Sequence, residues 1–287
     1  MRHSCRHILA AGAIAISLAA CGDSTDPDAD PLPDNAATAV ALTVRDNVEA
    51  SLDAFFPARL LQPFSTGPAD DPCVTPSSSV ETDGDGVPDD ATYTFTAPPC
   101  RYTGVRGFSL DVVGQLRIVD PVPETPGFGA DISLTALRFS LTTEDTDKNY
   151  SVIRNGIMTL TGSPAGLQLA TELQVQRTFT GLPDGSAEHV WTVGFDPETS
   201  LQINQPLPNG SVTVSGTVGW TRGNESFDLT ITTATPLHYD ASCEATGQRF
   251  DDGELRVSGT FGETPGYVRI VWRDCGDDPG IEFVAAE

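Results

Sequence analysis

The sequence predicts a mainly β protein: an antiparallel meander forming a strongly curved sheet or open barrel packed on one N-terminal helix, with a β-sandwich as the alternative. Three observations predict it. Apolar side chains recur with a period of two from Phe108 onward. Segments rich in Gly, Asn and Asp separate those runs. Only residues 36–56 carry a helical period ahead of them.

In that first element Val40, Val44, Val48 and Leu52 recur every four residues, and Phe55 and Phe56 extend the stripe. Asp34 or Asn35 can cap its start, and Pro57 ends it. The opposite face is acidic, so the stripe is expected to meet a core and not a membrane surface.

The strands follow in order. Phe108, Leu110, Val112, Leu116 and Ile118 alternate with polar residues, as do Leu167, Leu169, Leu173 and Val175. The same holds for Val212, Val214, Val218 and Trp220, then Phe227, Leu229 and Ile231. Leu255, Val257 and Phe261, then Val268, Ile270 and Trp272, complete the set. Each run has one dry and one wet face. Apolar parity flips at Leu134 to Leu137, which predicts a bulge. Pro208-Asn-Gly210, Arg222-Gly-Asn224 and Asp251-Asp-Gly253 read as hairpin turns. Roughly ten or eleven strands joined by short turns make a meander, and its dry face must be covered.

Residues 1–20 have the parts of a secretory signal: Arg2 and Arg6, an apolar run from Ile8 to Leu18, then small residues. The run is too short to cross a bilayer stably. Leu18-Ala19-Ala20-Cys21 resembles the bacterial lipobox. That resemblance implies cleavage before Cys21 and a diacylglycerol thioether on its sulfur; ordinary cleavage near Ala20 is the alternative. Residues 21–35 then form an anchor and tether, with Asp23, Asp26, Asp28, Asp30 and Asp34 interleaved with Pro27, Pro31 and Pro33. Like charge and proline keep such a segment extended. Each buried acyl methylene contributes about 0.8 kcal/mol, so two or more chains anchor stably to a membrane without a spanning helix. In lipoprotein sorting, Gly22 in place of an acidic residue implies the outer membrane, on its periplasmic or surface face. Residues 36–287 remain as a single β-rich domain.

The formal net charge is −24, with 16 basic and 40 acidic residues, and Lys148 is the sole lysine. Such a chain repels nucleic acid and anionic headgroups. Of six cysteines, Cys5 leaves with the signal and Cys21 carries lipid. Cys73, Cys100, Cys243 and Cys275 remain, an even set that reads as two disulfides in an exported chain. Three pairings are possible. Local pairing, Cys73–Cys100 and Cys243–Cys275, closes the shortest loops, each contributing roughly 3–4 kcal/mol. In a meander Cys243 and Cys275 also lie at the same end of the sheet, two strand spacings apart.

The sharpest chemical motif is Glu81-Thr-Asp83-Gly-Asp85-Gly-Val87-Pro-Asp89. Alternate carboxylates followed by glycine can curl around a hard cation. The segment resembles the calcium loops of thrombospondin type 3 repeats and EF-hand-like bacterial loops. Carried over by position, the resemblance implies calcium ligands at Glu81, Asp83, Asp85, Val87 (through its carbonyl) and Asp89. The first position is Glu where Asp is usual, and the twelfth is Thr92, which lacks the usual bidentate carboxylate. There is one copy, where thrombospondin repeats come in arrays.

The chain has no G-x-S-x-G, H-E-x-x-H or P-loop segment. After signal removal two histidines remain, His189 and His238, and an Asp lies two residues beyond the second. No nucleophile is marked beside either, so catalytic residues are expected to be none. Trp191, Trp220 and Trp272 are expected in the core, and not on a ligand-binding face. Together the lipobox, the Asp-Gly-Asp-Gly-Val-Pro-Asp segment and the Pro236-Leu-His-Tyr-Asp240 to Cys275 ending resemble a group of uncharacterised bacterial lipoproteins. The resemblance implies export and β structure but no activity. The expected function is a non-catalytic, lipid-anchored cell-envelope protein of structural or interaction type. The alternative is a carrier of a lipid or other apolar ligand, by analogy with periplasmic lipoprotein carriers.

Overall fold

The computed structural model describes residues 32–55, 74–77, 80–103, 109–142, 150–179, 185–246, 249–275 and 279–286. The signal segment, Cys21, tether residues 21–31 and Cys73 lie outside the described residues.

One α-helix, α1 (Leu32–Ala54), precedes the strands. They are β1 (Val74–Pro76), β2 (Asp90–Thr103), β3 (Ser109–Val119), β4 (Ala130–Thr142), β5 (Tyr150–Ser163) and β6 (Gly166–Phe179). After these come β7 (Gly185–Pro197), β8 (Gly210–Arg222), β9 (Glu225–Tyr239), β10 (Phe250–Phe261), β11 (Thr264–Trp272) and β12 (Gly280–Ala285). All twelve form one antiparallel sheet in chain order, with β1 and β12 at its edges. The predicted meander is therefore the fold, and the sandwich alternative is replaced by a single continuous ladder. The helix begins four residues before the expected start, because Pro33 is tolerated in a first turn where its missing N–H has no helical partner.

The period of two in the sequence becomes an inside and an outside. On β7, Ala187, His189, Trp191, Val193 and Phe195 are buried while Glu188, Val190 and Asp196 are exposed. The inner residues of successive strands join one core with the helix stripe. Trp191, Trp220 and Trp272 are all buried, as expected.

The helix shows how strongly the sheet curves. It contacts β10, β11 and β12 on one side. It also touches β6 through Thr43 and Arg177, and β7 through Asn47 with His189 and Phe55 with Phe195. In a flat sheet β6 and β12 would stand roughly 29 Å apart at about 4.8 Å per strand. A helix about 10 Å wide reaches both only if the sheet wraps it. Burial agrees. Besides Val40, Val44, Val48 and Leu52, the polar Thr43, Arg45, Asn47, Glu49 and Ser51 are buried. At 100° per residue the buried positions cover roughly two-thirds of the circumference. Of the acidic residues opposite the stripe, Glu49 is buried, at the edge of that arc.

Bulges accommodate the curvature. Register shifts at Leu134/Leu137 in the β4–β5 pairing confirm the predicted bulge, with Ala136 at φ 47. Gly223 and Asn224 make the predicted two-residue turn between β8 and β9. Asp251-Asp-Gly253 is not a turn. It lies inside β10, where three register shifts against β9 absorb the extra residues. The true β9–β10 connection is 240–249 and contains a 3₁₀ turn, Ala241–Thr246. Cys243, in that turn, is bonded to Cys275 just after β11, with Cα atoms 4.9 Å apart. Cys100 in β2 is buried and disulfide-bonded.

The β-branched and aromatic inner faces set the strands, but the end of the sheet that carries the connections 80–89, 120–129, 164–165, 198–209 and 240–249 concerns function. Leu201 N–H donates to Pro164 O there, and Leu201 and Leu207 are buried, so the 198–209 connection folds over the mouth of the curve.

Gly253 tests the bulge. Its φ is +122°, and an added Cβ would lie 2.6 Å from Leu237 Cα. Gly253→Ala is expected to destabilise the protein by about 1–3 kcal/mol. Urea unfolding followed by tryptophan fluorescence checks this; an unchanged midpoint would refute the bulge assignment.

Candidate functional site

The acidic segment 81–89 forms a compact loop leading into β2. Gly84 and Gly86 take φ of 83° and 87°, a left-handed backbone that lets the chain curl. The curl is held internally. Glu81 Oε1 accepts from Gly86 N–H at 2.6 Å, Asp83 Oδ1 from Asp85 N–H at 3.1 Å, and Asp85 Oδ1 from Val87 N–H at 2.8 Å. One carboxylate oxygen from each of Glu81, Asp83 and Asp85 lies within 4.8 Å of the others. That spacing suits oxygen ligands at opposite sides of a calcium ion, which sit at 2.3–2.6 Å from it.

The five residues expected as ligands separate into two groups. Glu81, Asp83 and Asp85 come together. Asp89 turns to the base of the loop, where its oxygens accept from Thr82 N–H at 2.9 Å and Thr82 Oγ1–H at 2.7 Å. Val87 anchors the loop by burying its side chain in the core. The loop is therefore attached to the body before any ion is considered.

Two partners were invisible in the motif. Asp85 is only 5% exposed, and its second oxygen accepts from Gly127 N–H at 3.1 Å, in the β3–β4 connection. Asp120 begins that connection and is also 5% exposed. Its backbone N–H donates to Pro88 O and Asp89 O, which docks the connection on the loop. Its Oδ1 accepts from Val122 N–H, while Oδ2 is buried without a hydrogen-bond partner among the described residues. Burial pushes the Asp85 carboxyl above its usual range, the Val87 and Gly127 N–H groups oppose this, and the charges of Asp83 and Asp120 push it further up. Among the described residues no cationic side chain pairs with Glu81, Asp83, Asp85 or Asp120. Arg117, the nearest candidate in sequence, is committed to a bidentate pair with Asp90. A third segment joins through Asn204, in the β7–β8 connection. Its Nδ2 donates to Gly84 O at 2.9 Å, and a Cβ on Gly86 would strike its Oδ1. Only Asp120-Pro121, closing a strand with an Asx-type turn, was a local cue in the sequence.

The two histidines have opposite surroundings. His189 is 1% exposed on the inner face of β7. Asn47 Nδ2 of the helix donates to its Nε2 at 3.1 Å, so the neutral ring carries its hydrogen on Nδ1. Burial, then the charges of Arg177 and Arg154, lower its pKa to about 3. Its Nδ1, Trp191 Nε1 and Thr171 Oγ1 share this inner face and have no hydrogen-bond partner among the described residues. Arg177 meanwhile donates to Thr43 Oγ1. The polar helix residues Thr43 and Asn47 thus lie along a polar seam on β6 and β7, while the Val40–Leu52 stripe fills the apolar side.

His238, at the end of β9, lies between two carboxylates. Its Nδ1 is 2.6 Å from Asp251 Oδ1 and its Nε2 3.2 Å from Glu198 Oε1. The carboxylate on Nδ1 is Asp251 at the β10 bulge, and not Asp240 two residues on. The hydrogen bond to Asp251 is the main cause of a raised His238 pKa. Both ring nitrogens are engaged by carboxylates, which suits an imidazolium clamp between connections better than a base.

The His189 ring makes stability depend on pH. Its folded pKa lies below the ordinary 6.5, so the unfolded chain takes up a proton that the folded state refuses. The contribution is zero above 6.5 and increasingly unfavourable as pH falls toward 3. In that window wild type is expected to lose on the order of 1.4 kcal/mol per pH unit relative to His189→Leu. Denaturant titrations at several pH values check this; parallel pH profiles for the two proteins would contradict it.

Compared with protein-family models, curated proteins and solved structures, the chain matches none.

Proposed function

We propose that this is a non-catalytic, lipid-anchored cell-envelope protein of structural or interaction type, whose acidic loop holds one structural calcium ion. The observation that carries the calcium reading is the convergence of Glu81, Asp83 and Asp85 around one point, with Asp85 buried and its charge unmatched by any described cation. Uncompensated buried carboxylates are costly, and a divalent ion at that point offsets the cost. The ion's role is structural, because the loop faces the mouth of the curved sheet and is bound to two further connections.

The anchor reading rests on Leu18-Ala19-Ala20-Cys21 and the acidic tether behind it. No described helix is long and apolar enough to cross a membrane. Membrane attachment then falls to lipid on Cys21, and the outer membrane is the proposed location. A net charge of −24 makes nucleic acid a poor partner and leaves a protein, or an ordered outer surface rich in divalent ions, as the better one.

The carrier reading places a lipid or other apolar ligand between helix and sheet. There Val40, Val44, Val48 and Leu52 are buried together with Phe195, Ile270 and Trp272 in one core. Side chains that already cover each other favour the structural reading.

Calorimetric titration of the purified protein with millimolar calcium is expected to show saturable heat that Asp83→Asn with Asp85→Asn abolishes. Equal heats would remove the calcium site. Separately, Cys21→Ala is expected to move the protein from the membrane to the soluble envelope fraction on cell fractionation. A variant that stays with the membrane would remove the lipid anchor.

A further inference from the structure

We propose that His238 is a pH-sensitive latch on the mouth of the curved sheet: protonated, it ties Glu198, at the start of the β7–β8 connection, to Asp251 of β10, and on losing its proton it lets Glu198 go. The ring stands at the end of β9, with Nδ1 2.6 Å from Asp251 Oδ1 and Nε2 3.2 Å from Glu198 Oε1. Ionised carboxylates only accept hydrogen bonds, and a neutral imidazole has a single N–H to give. Both contacts are therefore satisfied only by the imidazolium. The neutral ring keeps its hydrogen on Nδ1 for the shorter contact and turns the lone pair of Nε2 toward a carboxylate. That second contact becomes repulsive, and Glu198, with 59% of its side chain exposed, swings into water at little cost.

The latch acts on more than one side chain. Glu198 N–H donates to Asn209 O, which closes the base of the 198–209 connection. Asn209 Oδ1 accepts from Ala241 N–H, which stitches that base to the 240–249 connection. Asp251 belongs to the bulged start of β10, just beyond 240–249. His238 thus spans two connections whose feet already meet at Asn209. The buried Leu201 and Leu207 are carried by the first of them. Holding Glu198 therefore holds the foot of the segment that folds over the core.

The charges around the ring are mostly negative. Asp240 follows at the end of the same strand and feels the charge of the ring. Asp252 is the ladder partner of His238 on β10. Its partner on β8 is Ser211, and beyond that lies Asp196 on β7. Arg249 and Arg273 flank β10 and β11 at this end. The hydrogen bond to Asp251 leads the effects that raise the pKa of the ring above the ordinary 6.5. The folded state therefore holds the proton more tightly than the unfolded chain. The contribution is fully present below 6.5 and is lost as pH rises through the folded value. Its direction is opposite to that of His189, whose burial penalises the proton.

The test uses the purified protein, with NMR titration of the His238 ring and hydrogen exchange measured in steps of pH. Exchange at 198–201 and 241, corrected for intrinsic base catalysis, is expected to rise about two- to fivefold as pH passes the His238 midpoint, the range for a partly exposed ion pair. His238→Gln is expected to remove that step. Glu198→Gln keeps an acceptor in the same place, removes the charge and leaves the core untouched. It is expected to lower the His238 midpoint and flatten the step. Equal His238 midpoints in wild type and Glu198→Gln would overturn the latch. So would parallel exchange profiles in wild type and His238→Gln, or a wild-type midpoint at or below 6.5.

Discussion

Everything in this fold depends on burying one helix against a sheet that has a single dry face. An antiparallel meander of twelve strands has a large apolar surface and two edges, and a flat version would expose most of that surface. Wrapping α1 covers that surface. The apolar stripe Val40, Val44, Val48 and Leu52 covers the β10–β12 side, and Thr43 and Asn47 match polar inner residues of β6 and β7. The helix is therefore the axis around which the sheet curls, and Thr43, Arg45, Asn47, Glu49 and Ser51 are as much a part of the interior as its valines.

Curling has a chemical by-product at the strand ends. Connections that would be far apart along a flat edge are drawn over one mouth. Asn204 reaches the 81–89 loop for that reason, whereas the β3–β4 connection already lies beside the loop through the β2–β3 pairing. Bringing acidic connections together in a chain this negative concentrates like charge. Among the described residues the two most buried carboxylates, Asp85 and Asp120, lie at this end of the sheet. The proposed divalent cation would offset that charge. At the next connection, His238 between Asp251 and Glu198 performs a similar neutralisation with a side chain.

Legibility in the sequence followed the range of the interactions. Strands β3, β6 and β8 to β11 were readable because alternation is a local property, and so was the bulge at Leu134–Leu137. Arg222-Gly-Asn-Glu225 was readable because a two-residue turn needs only local backbone chemistry. Asp251-Asp-Gly253 misled for the same reason. Its composition is that of a turn, but Gly253 serves a bulge packed on Leu237, a choice made by the neighbouring strand. Within the site, Glu81, Asp83 and Asp85 were legible from their spacing. Asp89 looked equivalent to them and is instead bound to Thr82, because the loop folds back on its own base. Asp120, Gly127 and Asn204 could not be found, since nothing local links them to the motif.

The sequence by itself determined the fold class, the alternation of dry and wet faces and the acidic loop. Each is written in spacing over a few residues, which backbone geometry converts directly into structure. Only the tertiary structure decided how far the sheet curls, that Thr43, Arg45, Asn47, Glu49 and Ser51 of the helix are buried, that His189 is neutral inside, and that Gly127 meets Asp85. Those outcomes come from contacts between strands many residues apart. Their energies depend on burial and on the company a charge keeps, and neither is a property of any short stretch of chain.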